Sequence, residues 1–184
     1  MGENNWDMGL DYEETKQKII EKIKSLRNKK IFYKKDKVKY AYLILGLIQL
    51  RNGCRIGEAI EGLIKFTTLK EHEVSVKIEK RKDNAVRKLI LPGELSDKDI
   101  ETIRDVVMEW ENKAIKRIAN NVASWYLRNL EINTHSLRYS YISYLSKKQY
   151  PAQIIAAVTG HKKIDMVLRY TQSKIAEDVL RREG

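Results

Sequence analysis

VKYAYLILGLIQLR, residues 38–51, is too apolar for a helix that keeps one face in water. Its apolar side chains surround the helical projection instead of forming one stripe, which is typical of a helix buried on all sides. Gly53 follows closely and can end such a helix in a left-handed cap. The stretch therefore predicts a core helix around which the other elements pack.

Amphipathic helices are predicted on both sides of this core helix. Ile19, Ile20 and Ile23 fall on one face of a helix from Tyr12 to about Arg27. A lysine-rich connector, residues 29–39, separates it from the core helix. Helical periodicity or capping residues predict further helices at 55–63, 96–110, 113–130, 135–147, 151–158 and 164–170, with a short charged helix at 174–184.

The period of the apolar residues changes from 3.6 to 2 between Lys65 and Pro92. Val74, Val76 and Ile78 alternate with polar residues, residues 81–84 supply a turn, and residues 86–91 return as a second strand. Residues 66–69 are a possible third strand. The predicted fold class is mainly α with a small antiparallel β-sheet (α+β).

The composition points to a polyanionic partner. The 184 residues include 36 Lys and Arg against 25 Asp and Glu, a formal net charge of +11. This excess favours nucleic acid first and an anionic membrane second, whereas a solvated lysine-rich surface is the plain alternative. No apolar run is long enough to span a membrane, and the first residues lack the features of a signal peptide. With one cysteine and three histidines, we expect a cytoplasmic protein without a disulfide, metal or cofactor.

Four polar residues near the end of the sequence suit a site for a phosphodiester: His135, Arg138, His161 and Tyr170. Residues three apart in a helix share a face, so His135 and Arg138 can touch one ligand. A guanidinium neutralises phosphate oxygens and a phenol can act as a nucleophile. Taken singly, His135 could be a capping residue and Tyr170 a half-buried aromatic.

The order of these residues resembles the tyrosine recombinase (phage integrase) family over about residues 38–172. That family has an arginine in a Gly-x-Arg-x-x-Glu helix start, a lysine on a β-hairpin, His-x-x-Arg, Gly-His, and a tyrosine nine residues after that last histidine. The matching residues here are Arg55 within Gly53-Cys-Arg-Ile-Gly-Glu58, then His135, Arg138, His161 and Tyr170. The resemblance implies the fold of a tyrosine recombinase catalytic domain.

The resemblance also implies a mechanism. Arg55 and Arg138 would hold the non-bridging oxygens of the scissile phosphate, and Tyr170 would attack phosphorus to leave a 3′-phosphotyrosine and a free 5′-hydroxyl. His135 would accept the phenol proton, and His161 would donate to a phosphate oxygen in the transition state. Because the phosphotyrosyl bond keeps the energy of the phosphodiester, rejoining would need neither ATP nor metal.

In the resembling family, a hairpin lysine protonates the departing 5′ oxygen, usually from a Gly-Lys-Gly turn. The hairpin here reads Ile-Glu-Lys-Arg-Lys-Asp over residues 78–83. Lys80 fits best, Lys82 is its rival and Lys77 fits less well. Glu58 resembles the carboxylate that orients the first arginine, although it could equally be a first-turn helix charge.

Two positions depart from the family's pattern. Thr159 stands before Gly160 where leucine is usual, and Gln172 follows the tyrosine where histidine is usual. Neither departure removes a chemical role.

By this resemblance, residues 1–35 would form an arm with an amphipathic helix, 36–173 the catalytic domain and 174–184 a tail helix. Family members carry a further N-terminal domain. The chain is therefore expected to be either a minimal enzyme or a catalytic fragment of a longer one, and we favour the fragment. The expected partners are double-stranded DNA and further copies of the chain, from dimer to tetramer. The alternatives are a type IB topoisomerase, a catalytically silent DNA-binding module and a basic interaction domain without a DNA role.

Overall fold

The computed structural model describes residues 7–183. Within α8, the last helix, six side chains lie outside the described part: Tyr170, Ser173, Lys174, Ile175, Glu177 and Asp178. The elements, in chain order, are α1 (Tyr12–Arg27), α2 (Lys34–Asn52), α3 (Ile56–Leu69), β1 (Glu73–Lys77), β2 (Val86–Ile90), α4 (Asp97–Met108), α5 (Ile115–Leu130), α6 (Thr134–Lys147), α7 (Ala152–Thr159) and α8 (Ile164–Glu183). This mainly helical fold with a small antiparallel sheet confirms the predicted class. None of the helices in this part of the chain is long and apolar enough to cross a membrane.

Helix α2 lies at the centre of the hydrophobic core, as its apolar composition predicts. Its buried residues come from every side of the helix and include Tyr40, Leu43, Ile44, Leu45, Leu47, Ile48 and Leu50. Helix α5 comes close at Gly46, where a Cβ would overlap the hydroxyl of Tyr126. That hydroxyl donates to the carbonyl of Leu43 at 3.3 Å. The helix ends at Gly53, whose φ of 56° gives the predicted left-handed cap.

Helix α1 packs against α2 and α6. Asp11 caps its start by accepting a hydrogen bond from the backbone N–H of Glu14 at 3.0 Å. Ile19 and Ile23 are 0% and 1% exposed and belong to the same core as α2. The amphipathic helix therefore shares the core of the rest of the chain, and the division at residue 35 stays a prediction.

The β-hairpin predicted from the period-2 pattern is present. Its antiparallel register pairs Val74 with Leu89 and Val76 with Arg87. All four side chains are buried, so one face of the hairpin packs on the protein and the other faces solvent. Arg87 is the polar member of the buried face.

The third strand predicted at residues 66–69 is wrong, because these residues form the last turn of α3. Phe66 and Thr67 lie on the buried side of that helix. The hydroxyl of Thr67 donates to the carbonyl of Leu63, one turn earlier, at 2.7 Å. The helix ends at Leu69 and is capped by Lys70 in the left-handed conformation.

The lysine-rich connector is shorter than predicted, because the first turns of α2 begin at Lys34. Asp36, near the start of that helix, is 1% exposed and pairs with Lys29. Three lysines of the segment form ion pairs within the protein: Lys29 with Asp36 (2.8 Å), Lys34 with Glu109 (2.5 Å) and Lys37 with Asp105 (2.8 Å). These pairs neutralise part of the basic run.

The last three helices differ from the sequence prediction in their boundaries. Helix α6 begins at Thr134, one residue before the predicted start, and the side chain of Asn133 caps it by accepting from the backbone N–H of His135 at 2.9 Å. Pro151 occupies the N-cap of α7 and not its first turn. Residues 164–183 form one continuous helix, so the predicted break before residue 174 is wrong. Residues 171–173 contain no glycine or proline that would interrupt it.

Candidate active site

The candidate site lies where the C-terminal ends of α2 and α7 meet the starts of α3 and α6 and the β1–β2 turn. Both helices end at left-handed glycines, Gly53 and Gly160. The last carbonyls of a helix have no partner within it and carry partial negative charge, so two such ends together attract cations. The predicted side chains brought together here are Arg55, Lys80, His135, Arg138 and His161.

Arg138 is held by these helix ends. It is 3% exposed, and its Nη1 donates to the carbonyls of Gly53 at 2.7 Å and Thr159 at 2.8 Å. Its Nη2 lies 3.0 Å from His161 Nε2. Burial, and then the charge of Arg55, lower the pKa of Arg138 to about 10, so the guanidinium still carries its charge at neutral pH. The anion that the sequence predicts beside Arg138 is replaced in the free protein by carbonyl dipoles.

Arg55 stands at the N-cap of α3 and is oriented by Glu58, as the resemblance implies. Its Nη1 donates to Glu58 Oε1 at 3.2 Å and to the carbonyl of Glu79 at 3.1 Å. The Glu58 side chain is fully buried, and it also accepts from the backbone N–H groups of Arg55 and Glu79. This carboxylate therefore ties the start of α3 to the β1–β2 turn.

Arg87 is a second partner of Glu58 that the sequence analysis missed. Its Nη1 lies 3.4 Å from Glu58 Oε2 and donates to the carbonyl of Thr159 at 3.0 Å. Its Nη2 donates to the carbonyls of Asn52 and Val158 at 2.5 and 2.6 Å. Arg87 therefore fastens the hairpin to the same two helix ends that hold Arg138.

A signal for Arg87 existed in the hairpin register. Val86 and Ile90, at the two ends of β2, are apolar, yet both are exposed, at 62% and 42%. Pairing β2 with the inward-facing residues of β1 places Arg87 and Leu89 inward instead. Because a shift of one residue exchanges the two faces of a strand, the register was needed to find this arginine.

His161 follows Gly160 directly, and it lies between Arg138 and Thr159. Burial lowers its pKa to about 3, with further contributions from the charges of Arg138, Arg55 and Arg87. The imidazole is therefore neutral in the free protein at neutral pH. The charges of Arg138, Arg55 and Arg87 all act at this imidazole, which makes it a favourable place for an anion.

His135 lies in the first turn of α6, one helical turn before Arg138. Burial lowers its pKa, and the nearby charges that add to this effect are Lys80, Arg138 and Arg55, in that order. The two histidines therefore sense the same group of cations. Both are neutral when no anion is bound, a state in which an imidazole can accept a proton.

The three candidate lysines differ in position. Lys80 lies in the turn, with a left-handed φ of 64°, and its positive charge contributes to the lowered pKa of His135. Lys82 is exposed further along the turn, and Lys77 is on the outward face of β1. Of the three lysines, Lys80 is the one whose charge lowers the pKa of His135.

Glu79 is a further residue that the motif search missed. A Cβ on Gly57 would overlap its Oε1, so the carboxylate lies against the first turn of α3. Burial, and then the charge of Glu58, raise the pKa of Glu79, while Arg55 and Lys80 oppose this shift. The glutamate stands where the resembling family usually has the glycine of its Gly-Lys-Gly turn.

Tyr170 lies in α8, nine residues after His161. Its side chain is outside the described part of the chain, so the structure gives no distance from its hydroxyl to the arginines. Thr171, the next residue, is 5% exposed, so the helix packs on the protein at this level. Among the described residues, no three His, Cys, Asp or Glu side chains lie close enough together to hold a metal ion.

Comparison with known proteins shows the family to which this chain belongs. Residues 13–177 match the phage integrase family. A relative in Methanocaldococcus jannaschii, an uncharacterized protein, is 41% identical over 198 residues, covering 97% of this chain and 89% of the relative. A protein of Acidianus two-tailed virus, named a candidate integrase, is 36% identical over 178 residues, covering 96% of this chain and 68% of that protein.

The fold is similar to that of the XerH site-specific recombinase, solved bound to its palindromic difH substrate after cleavage. The TM-score is 0.56 at 22% identity, over 98% of this chain. The chain spans 55% of the length of that recombinase. Taken with the match over residues 13–177, these likenesses establish that the chain belongs to the phage integrase family of tyrosine recombinases and has the fold of their catalytic domain.

Proposed function

We propose that this chain cuts and rejoins double-stranded DNA at specific sites through a covalent 3′-phosphotyrosine bond on Tyr170. The observation that supports this most strongly is the convergence of Arg55 and Arg138 on two neutral histidines, with the charge of Lys80 acting on His135. A phosphate diester entering this field would add an anionic partner to guanidinium groups that already donate to carbonyls. Charge-assisted hydrogen bonds to such an anion are stronger than those to neutral acceptors.

The two arginines would bind the non-bridging oxygens of the scissile phosphate. Among the contacts of the described residues, Arg55 uses Nη1 for Glu58 and the Glu79 carbonyl, which leaves its Nη2 for the phosphate. Arg138 keeps Nη1 on the helix ends and can turn Nη2 from the neutral His161 to the anion. Each guanidinium would thus stay anchored while it binds.

The chemical step would exchange one phosphorus–oxygen bond for another. The phenol oxygen of Tyr170 attacks phosphorus, the bond to the 5′ oxygen breaks, and the phenol proton passes to His135. A general base must be unprotonated at the working pH, and the lowered pKa of His135 meets this condition. Lys80 gives a proton to the departing 5′ oxygen, and His161 donates to a phosphate oxygen once it is protonated.

Rejoining would reverse these steps without ATP, a metal or another cofactor. The phosphotyrosyl bond keeps the energy of the broken phosphodiester, so a 5′-hydroxyl can attack it directly. An EDTA-sensitive reaction would contradict this part of the proposal. We place the reaction inside the cell, on DNA.

Pairing of two or more copies on the DNA, from dimer to tetramer, is part of the proposal. The last turns of α8 expose Val179 and Leu180, which are 50% and 75% accessible. Exposed apolar side chains close together favour a protein contact, and a second copy of this chain is the proposed occupant. Replacing both residues by serine should reduce oligomers on DNA, as measured by light scattering, without unfolding the monomer.

The test is covalent capture of DNA. A pool of random duplexes, each carrying a nick that lets the cleaved end diffuse away, is incubated with the protein, and adducts that survive denaturing detergent are sequenced. Tyr170→Phe should abolish the adduct and keep DNA binding. Tyr150→Phe, which alters an exposed tyrosine, is the matched control and should form it. An adduct with Tyr170→Phe would refute the assignment of the nucleophile.

A further inference from the structure

We propose that Thr159 is a positioning residue that fixes which ring nitrogen of His161 carries the proton. Thr159 is fully buried at the last turn of α7. Its hydroxyl donates to the carbonyl of Ile155 at 2.6 Å and lies 2.7 Å from His161 Nδ1. The significance for catalysis rests on the function proposed above, whereas the protonation state itself is a property of the free protein.

The Thr159 hydroxyl lies close to two acceptor or donor atoms but has only one hydrogen. A threonine hydroxyl has one hydrogen to donate and can also accept. That hydrogen is used on Ile155, so the contact with His161 requires Thr159 Oγ1 to accept. His161 Nδ1 must therefore carry a hydrogen.

Arg138 lies over the face of the same ring. Its Nη2 is 3.0 Å from Nε2 and 3.2 Å from Nδ1, so it points at neither in-plane lone pair and does not decide between the two nitrogens. In the neutral imidazole that follows from the low pKa of His161, one nitrogen is protonated and the other is bare. Because Nδ1 donates to Thr159, the proton lies on Nδ1 and the lone pair on Nε2.

This arrangement leaves the bare nitrogen of His161, Nε2, beside the guanidinium and the proposed phosphate site. When phosphate takes Arg138 Nη2, the charge of the anion favours uptake of a solvent proton on Nε2. The Nδ1–H bond to Thr159 is unchanged, so the ring can donate to phosphate without turning. The carbonyl of Thr159 also accepts from Arg138 and Arg87, so this one residue orients three members of the site.

Removing the Thr159 hydroxyl would leave Nδ1–H without this acceptor, whereas the other neutral form, with the proton on Nε2, needs no acceptor there. The tautomer should therefore invert.

The test uses ring-nitrogen chemical shifts from nuclear magnetic resonance of the free protein at pH 7. His161→Gln identifies the signals of this residue among the three histidines. The wild type and Thr159→Ser should have a protonated Nδ1 and a bare Nε2, and Thr159→Val should have the reverse. The same tautomer in Thr159→Val and the wild type would overturn the proposal, as would a protonated Nε2 in the wild type.

Thr67→Val is the matched control. Thr67 is also fully buried, donates its hydroxyl to a carbonyl one turn earlier, and accepts from Arg104 Nη1 at its own carbonyl. It lies in α3, and no contact joins it to His161 among the described residues. This variant should leave the tautomer unchanged, which separates the loss of the hydroxyl at the site from the loss of a buried threonine in general.

Cleavage then measures the consequence. With captured DNA as substrate, Thr159→Val should lower the cleavage rate about 10- to 100-fold, which is at most the lower end of the roughly 10²–10⁴-fold that one acid–base group contributes. Thr159→Ser should keep most of the rate, and the Kd for DNA should stay within about twofold in both. An unaltered rate in a tautomer-inverted Thr159→Val would refute the positioning role. A wild type that never cleaves would refute the proposed function and leave the resonance result intact.

Discussion

Replacing Arg87 by methionine should destabilise this protein strongly, although Arg87 lies in a surface hairpin. Methionine keeps much of the apolar volume of the arginine but removes the cation beside Glu58 and the donors to the carbonyls of Asn52, Val158 and Thr159. Glu58 keeps Arg55 as a partner, so we expect the lower end of the range for breaking a buried ion pair, about 3 kcal/mol. At about 2–4 °C per kcal/mol for a chain of this size, Tm should fall by roughly 6–12 °C.

Thermal and urea unfolding measure this effect, with Lys88→Met as the control. Lys88 is the next residue of β2, and its ion pair with Glu73 is on the solvent face, so its loss should change Tm little. Arg87→Lys should recover only a small part of the loss, because one ammonium cannot reach the carboxylate and all three carbonyls. Equal Tm values for Arg87→Met and Lys88→Met would refute the conclusion that Arg87 fastens the hairpin to the helix ends.

Three further predictions concern individual titratable groups. Lys80→Ala, and not Lys82→Ala, should lose cleavage and regain it on a substrate with a 5′-bridging sulfur, whose leaving group needs no acid; rescue of neither variant would exclude both lysines. Between pH 6.5 and about 3, the unfolded chain binds a proton at His161 that the folded protein does not. The free energy of unfolding should therefore fall on acidification by up to about 1.4 kcal/mol per pH unit. Urea unfolding at several pH values should show a weaker pH dependence for His161→Gln, and an equal pH dependence would contradict the lowered pKa. Because the pKa of Glu79 is raised, its ionisation opposes folding as pH rises, and Glu79→Gln should raise Tm at pH 8 more than at pH 5; a constant difference would contradict the burial of its charge.

The apolar pattern predicted most of the fold because burial and hydrophobicity agree along most of the chain. Residues 38–51 are apolar on all sides and form the core helix. The errors occur where local pattern and packing disagree. Residues 66–69 have the composition of a strand, but Phe66 and Thr67 extend the buried face of α3, and tertiary packing decides the conformation.

The sequence predicted the site residues that the order and spacing of the motif identify. Arg138 and His161 were found from their order along the chain, and the fold brings their side chains within 3.0 Å. Arg87 and Glu79 were not found, because their roles depend on strand register and on the absence of a side chain at Gly57. Thr159 was visible as a departure from the pattern, but its role required the positions of two neighbouring hydrogen-bond partners.

The identity of the residue that becomes joined to DNA tests the central claim most directly. Trypsin cuts after Arg169 and Lys174, so Tyr170 is the only tyrosine of the peptide formed by residues 170–174. After covalent capture, nuclease digestion and tryptic digestion, mass spectrometry should find this peptide carrying a nucleotide 3′-phosphate on Tyr170. A nucleotide attached to any other residue, or a captured strand joined through its 5′ end, would contradict the account.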